Sequence, residues 1–78
     1  MRIIGGKYRG INLCSPTSIK TRPTSDRRRE MLFNILLHNP LFGRESFKGK
    51  KVLDVFAGTG AVGLEAYSHE AKTVFFIE

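Results

Sequence analysis

Three kinds of hydrophobic pattern follow one another along the chain. From Arg2 to Cys14, short apolar pieces alternate with glycine and Lys/Arg. Ile3 and Ile4 open one strand, Ile11 and Leu13 lie on a second, and Tyr8-Arg9-Gly10 makes the turn between them. A small hairpin is predicted, with Arg2, Lys7 and Arg9 projecting from it. Ser15 to Pro23 reads as a loop. Met31, Leu32, Ile35 and Leu36 then recur at helical spacing and predict a helix with an apolar stripe. Thr24 or Ser25 caps it, and Asp26 places a carboxylate in the first turn, where the helix dipole favours it. His38-Asn39-Pro40 ends it, because a proline disfavours the α conformation in the residue before it. Leu41 to Lys50 is a linker whose Phe42 and Phe47 are available to pack on the next unit.

The third pattern is a short apolar run, Lys51 to Phe56, read as a buried strand. Ala57-Gly58-Thr59-Gly60 is a tight glycine turn, Ala61 to about Glu70 has helical character, and Thr73 to Glu78 is a second β-rich run. Strand, turn, helix and strand in this order make the βαβ unit of a parallel sheet. The chain thus divides into a basic hairpin and loop (1–23), a helix and linker (24–50) and a βαβ unit (51–78). The fold class is α/β.

Composition narrows the partners. The 78 residues permit one domain at most, and no apolar run approaches the length of a membrane span. The first residues lack the apolar stretch of a secretory signal, and one cysteine, Cys14, cannot form an internal disulfide. The cytoplasm is the expected compartment, and no Cys/His spacing predicts a metal. Cys14 is expected to be a small packed hydrophobe, and His38 and His69 to sit at helix ends. The net charge is +6, and all the basic residues except Lys72 precede Val52. A basic front half points to a polyanion, with nucleic acid the natural candidate.

Gly58, Gly60 and Gly63 satisfy G-x-G-x-x-G between a strand and a helix. Such a loop turns sharply, lets a ligand approach the backbone, and lets helix and strand pack closely. Glu78 stands at the end of the second run, where a carboxylate accepts hydrogen bonds from ribose hydroxyls. Several nucleotide cofactors use a loop of this kind. Asp54, four residues before Gly58, helps to choose among them. A dinucleotide would bring its negative pyrophosphate to this carboxylate, whereas S-adenosylmethionine carries a sulfonium and an ammonium and no phosphate. Charge favours S-adenosylmethionine over NAD. Asp54 could instead be a carboxylate satisfied by loop amides.

The run Asp54-Val55-Phe56-Ala57-Gly58-Thr59-Gly60-Ala61-Val62-Gly63-Leu64-Glu65-Ala66 resembles the first S-adenosylmethionine motif of the bacterial 16S ribosomal RNA guanine-N2 methyltransferase family. Met1 to Gly10 looks like that family's N-terminal hairpin. Arg22-Pro23-Thr24-Ser25-Asp26-Arg27-Arg28-Arg29-Glu30, running into Leu32-Phe33-Asn34-Ile35-Leu36, looks like its signature helix. The resemblance covers nearly the whole chain, in three ordered motifs. It implies a Rossmann-like domain that moves methyl from S-adenosylmethionine to the exocyclic N2 of a guanine. By position, Asp54, Phe56, Ala57, Gly58, Thr59 and Gly60 would line the cofactor, Glu78 would hold its ribose, and Thr24 and Asp26 would contribute from beside the pocket. Arg2, Lys7, Arg9, Arg22 and Arg27 would meet RNA, in small-subunit ribosomal RNA or an assembly intermediate. Glu65 would stabilise the loop or lie on a solvated helix face. The stretch around Asp26 reads equally as a capped, salt-bridged helix start.

One departure matters. The family's catalytic Asn/Asp-Pro-Pro-aromatic motif is absent, so no residue is assigned to catalysis. Asn39-Pro40-Leu41-Phe42 lacks the second proline and follows a helix, and is read as a helix stop. Two parallel strands with one crossover leave exposed edges and an uncovered face. Glu78 therefore reads as a point inside a larger sheet, and the chain alone is expected to be inactive. An NAD-type nucleotide-binding unit, a non-catalytic RNA-binding module and a decayed gene fragment are the alternatives.

Overall fold

A computed structural model describes residues 1–14, 25–43 and 45–77. Its elements are α1 (Asp26–His38), β1 (Lys51–Val55), α2 (Ala61–Ser68) and β2 (Thr73–Ile77). Local chemistry accounts for their ends. Ser25 is extended and its Oγ accepts the Arg28 amide at 3.1 Å, which caps α1. Such a cap contributes about 1 kcal/mol. At the other end Asn39 is extended before Pro40, and its Oδ1 accepts the amides of Leu41 and Phe42. Asn39-Pro40 is thus a helix stop followed by a side-chain-supported turn.

β1 and β2 pair in parallel, with Val52 opposite Val74 and Asp54 opposite Phe76. α2 crosses one face of this pair. A residue larger than glycine at position 63 would force Phe76 or Val74 to shift, because a Cβ there would lie 2.4 Å from Phe76 Cε1 and 2.9 Å from Val74 Cγ1. The βαβ unit and the close packing at Gly63 are as expected from the sequence. The core joins it to α1: Phe33, Phe47, Ala66 and Ala71 are buried together, with Leu36, Leu37, Val52, Val62 and Val74 against them. Phe33 and Phe47 meet at 5.3 Å between ring centroids, and Phe42 packs edge-on to Phe47 at 5.1 Å. The opposite face of the strand pair, Leu53, Val55, Phe75 and Ile77, is exposed.

Three expectations need correction. The N-terminal hairpin is absent as a strand pair; its only ladder contact is an isolated antiparallel bridge between Arg2 and Asn12. The reason lies in where the backbone amides go. Ile4 and Gly5 donate to the Glu65 carboxylate, Lys7 to the Ser68 carbonyl and Tyr8 to the Ser68 hydroxyl. Amides engaged by α2 cannot also extend a ladder. The apolar stripe of α1 is also turned. Met31, Leu32 and Ile35 are exposed, and the inward residues are Arg29 and Phe33, with Leu36 and Leu37 half-buried. An ion pair from Arg29 and ring contacts from Phe33 to Phe47 and His69 set this rotation. Finally, Cys14 is exposed, one residue beyond the bond from the Leu13 amide to the Met1 carbonyl.

Candidate functional site

The chain leaves β1 through Phe56, which adopts a positive φ of 63° and is 89% exposed. Such a backbone conformation is costly for a residue with a Cβ and tends to mark functional turns. The loop then turns into α2 at Gly60, whose left-handed φ of 82° suits glycine. Ala57, Gly58, Thr59 and Gly60 line one cleft of ≈ 320 Å³ with Leu64 and Phe76. Four of the residues expected at the cofactor therefore share a cavity. Leu64 and Phe76 were not anticipated. Helical spacing from Gly60 is the available signal for Leu64, while Phe76 arrives through the strand pairing that sets it opposite Asp54.

Gly60 has no side chain with which to cap α2, so the first amides of the helix need other acceptors. Asp54 supplies one from the neighbouring strand, its Oδ2 accepting the Gly63 amide at 3.1 Å. A negative group is thereby fixed at the positive end of the helix. Thr59 Oγ1 lies 3.4 Å from the Ala61 amide.

A second constellation joins the N-terminal segment to α2. Arg29 has a side chain 0% exposed and Glu65 one 1% exposed, and Arg29 Nε meets Glu65 Oε1 at 3.1 Å. Arg29 also donates to the Arg2 carbonyl and, at 2.7 Å, to Asp26 Oδ1. Glu65 accepts the Ile4 and Gly5 amides at 3.0 and 2.9 Å, and His69 Nε2 lies 3.5 Å from its Oε2. Glu65 is thus a buried junction and no part of a solvated helix face. Asp26 is 35% exposed and sits at the edge of this network, where it also accepts the Arg2 amide at 3.3 Å. Burial pushes the Asp26 carboxyl up. The hydrogen bonds from Arg29 and Arg2, with the charges of Arg29 and the N-terminus, outweigh that and hold it below its ordinary value.

The expected site residues are therefore distributed. Ala57, Gly58, Thr59 and Gly60 converge on the cleft, Asp54 holds the helix that borders it, and Asp26 is engaged by Arg29 and Arg2. Arg2, Lys7, Arg9 and Arg27 are exposed. Thr24, Arg22 and Glu78 lie outside the described residues. Among the described residues, no helix is long and apolar enough to cross a membrane and no group of three acidic, Cys or His side chains could hold a metal.

Known proteins resemble the chain in sequence and in fold. The chain is 47% identical over its whole length to a ribosomal RNA small subunit methyltransferase D of Escherichia coli, of which it covers 36%. It is 44% identical to the protein of the same name from Haemophilus influenzae, covering 37% of that chain. It also superposes over its full length on a solved E. coli chain described as a methyltransferase, yhhF, with a TM-score of 0.75 at 44% identity, covering 37% of it. The chain thus spans a little over a third of the length of these relatives. The family described as conserved hypothetical protein 95 matches residues 1–78, the entire sequence, and the chain belongs to that family.

Proposed function

We propose that this chain supplies the cofactor-binding unit and an RNA-contacting segment of an S-adenosylmethionine-dependent enzyme. The reaction in this reading is methyl transfer to the exocyclic N2 of a guanine in 16S small-subunit ribosomal RNA. One observation carries the choice of cofactor: the Gly63 amide at the start of α2 is already bonded to the Asp54 carboxylate. A dinucleotide needs such amides free for its pyrophosphate, and a carboxylate beside them repels it. S-adenosylmethionine has no phosphate, and its cationic groups are attracted to the same carboxylate. Bound at the cleft, it supplies an electrophilic methyl group. The names of the E. coli and H. influenzae relatives support the RNA substrate, as do the exposed Arg2, Lys7, Arg9 and Arg27. The exposed face of Leu53, Val55, Phe75 and Ile77 suits a βαβ unit within a larger Rossmann-like sheet. The Asn/Asp-Pro-Pro-aromatic motif is absent from these residues, so the reading assigns this chain cofactor and RNA contacts and no group that touches the target amine.

Calorimetric titration of the full chain tests the cofactor. S-adenosylmethionine is expected to bind and NAD to leave that binding unchanged. Asp54→Asn keeps an oxygen for the Gly63 amide while removing the charge and one acceptor, and is expected to weaken binding about tenfold or more. Displacement of S-adenosylmethionine by NAD, or an unaltered affinity in Asp54→Asn, would sink the cofactor assignment.

A further inference from the structure

Tyr8 and Tyr67 come from distant parts of the sequence, yet their rings are parallel to within 3° at a centroid separation of 5.9 Å. Lys7 Nζ lies over the Tyr8 ring, 5.6 Å from its centroid. Neither ring belongs to the core, which is built around Phe33, Phe47, Ala66 and Ala71. Tyr67 is the one residue of α2 that is exposed, with 45% of its surface in solvent.

The pair is also held in place. Ser68, the residue after Tyr67, accepts the Lys7 amide on its carbonyl at 2.7 Å and the Tyr8 amide on its hydroxyl at 2.9 Å. The Ser68 hydroxyl in turn donates to the Gly5 carbonyl at 2.6 Å. One buried serine therefore fixes the backbone of the Tyr8 segment against the helix that carries Tyr67. On either side of Tyr8 in the chain stand Lys7 and Arg9, both exposed. An aromatic pair with cations beside it suits a nucleic acid, which offers a base face and a phosphate together.

We propose that Tyr8 and Tyr67, flanked by Lys7 and Arg9, form a stacking platform for an unpaired nucleotide of the RNA. The proposal rests on the RNA reading above and adds to it the class of RNA recognised: single-stranded or looped. Cations alone bind phosphate and do not distinguish paired from unpaired strands. A fixed aromatic face does, because only an unstacked base offers its π surface. Lys7 serves both terms, polarising the Tyr8 ring and meeting the adjoining phosphate.

The test is fluorescence anisotropy of the full chain with a labelled oligoribonucleotide of about 12 nucleotides, single-stranded or annealed to its complement. Tyr67→Leu is expected to weaken single-strand binding about tenfold, to leave duplex binding unchanged, and to keep the salt dependence. Tyr67→Phe retains the ring face and is expected to bind as the wild type. Lys7→Ala is expected to flatten the salt dependence by about one phosphate contact. If Tyr67→Leu binds single strands as well as the wild type while Lys7→Ala weakens them, the platform is wrong and the RNA reading stands. Equal losses in Tyr67→Phe and Tyr67→Leu would place the effect on the hydroxyl and likewise overturn it. A wild type that binds neither RNA at low salt removes the platform together with the reading beneath it.

Discussion

Glu65→Ala is expected to destabilise the full chain by about 3–5 kcal/mol, the usual consequence of removing one partner from a buried ion pair. Glu65 and Arg29 have no access to water that could replace the lost charge, since their side chains are 1% and 0% exposed. The Ile4 and Gly5 amides lose their acceptor in the same step. Arg29 keeps Asp26 and the Arg2 carbonyl, but both accept from its Nη2 and neither replaces the bond from Nε to Glu65. The loss is large beside the roughly 4–12 kcal/mol that a folded unit of this size commands. Glu65→Gln keeps an oxygen at only one of the two positions to which Ile4 and Gly5 donate, and is expected to lose less than Glu65→Ala. Urea unfolding followed by circular dichroism measures both. A midpoint shift in Glu65→Ala worth under about 0.5 kcal/mol, the scale of an ordinary surface substitution, would show that the pair does not hold the N-terminal segment to the fold.

That same pair marks the boundary of what the sequence makes legible. The βαβ unit, the glycine turn, the Ser25 cap and the Asn39-Pro40 stop follow from rules spanning a few residues, and they appear where those rules put them. The cleft was legible for the same reason, since Ala57 to Gly60 are consecutive and the loop that carries them is local. Arg29 and Glu65 are different. Charged side chains are almost never fully buried unless paired, and nothing local announces a partner 36 positions away. Without that pairing the rotation of α1 cannot be foreseen, and periodicity alone shows Met31, Leu32 and Ile35 only as part of an apolar stripe. The N-terminal hairpin failed for a related reason. Its alternation is compatible with a strand pair, but acceptors on α2 about 60 residues distant compete for the same amides and win. Phe76 entered the cleft through strand register, which the sequence of either strand alone does not determine.

Gly6→Ala is expected to cost about 2–5 kcal/mol, and a comparison with Gly10→Ala separates the two causes. Both glycines hold left-handed backbone, at φ values of 78° and 87°. An alanine at either position pays about 1–2 kcal/mol for that conformation. Only Gly6 is also in close contact: a Cβ there would stand 2.3 Å from the Ser68 carbonyl oxygen and 2.6 Å from its carbon, whereas a Cβ on Gly10 meets nothing within 4 Å. The obstructing atoms are backbone at the end of α2, so no side-chain rotation relieves them, and the segment must move off the helix. Overpacking of this kind adds about 1–3 kcal/mol. Gly6→Ala should therefore break the hydrogen bonds of Lys7 and Tyr8 to Ser68, and Gly10→Ala should leave them intact. Hydrogen exchange at those two amides gives the local answer, and thermal unfolding of both variants gives the global one. Fast exchange in Gly6→Ala alone means that the docking of this segment depends on the close approach at Ser68. Equal effects in the two variants would mean that conformational strain accounts for the whole loss and that the contact with α2 is loose.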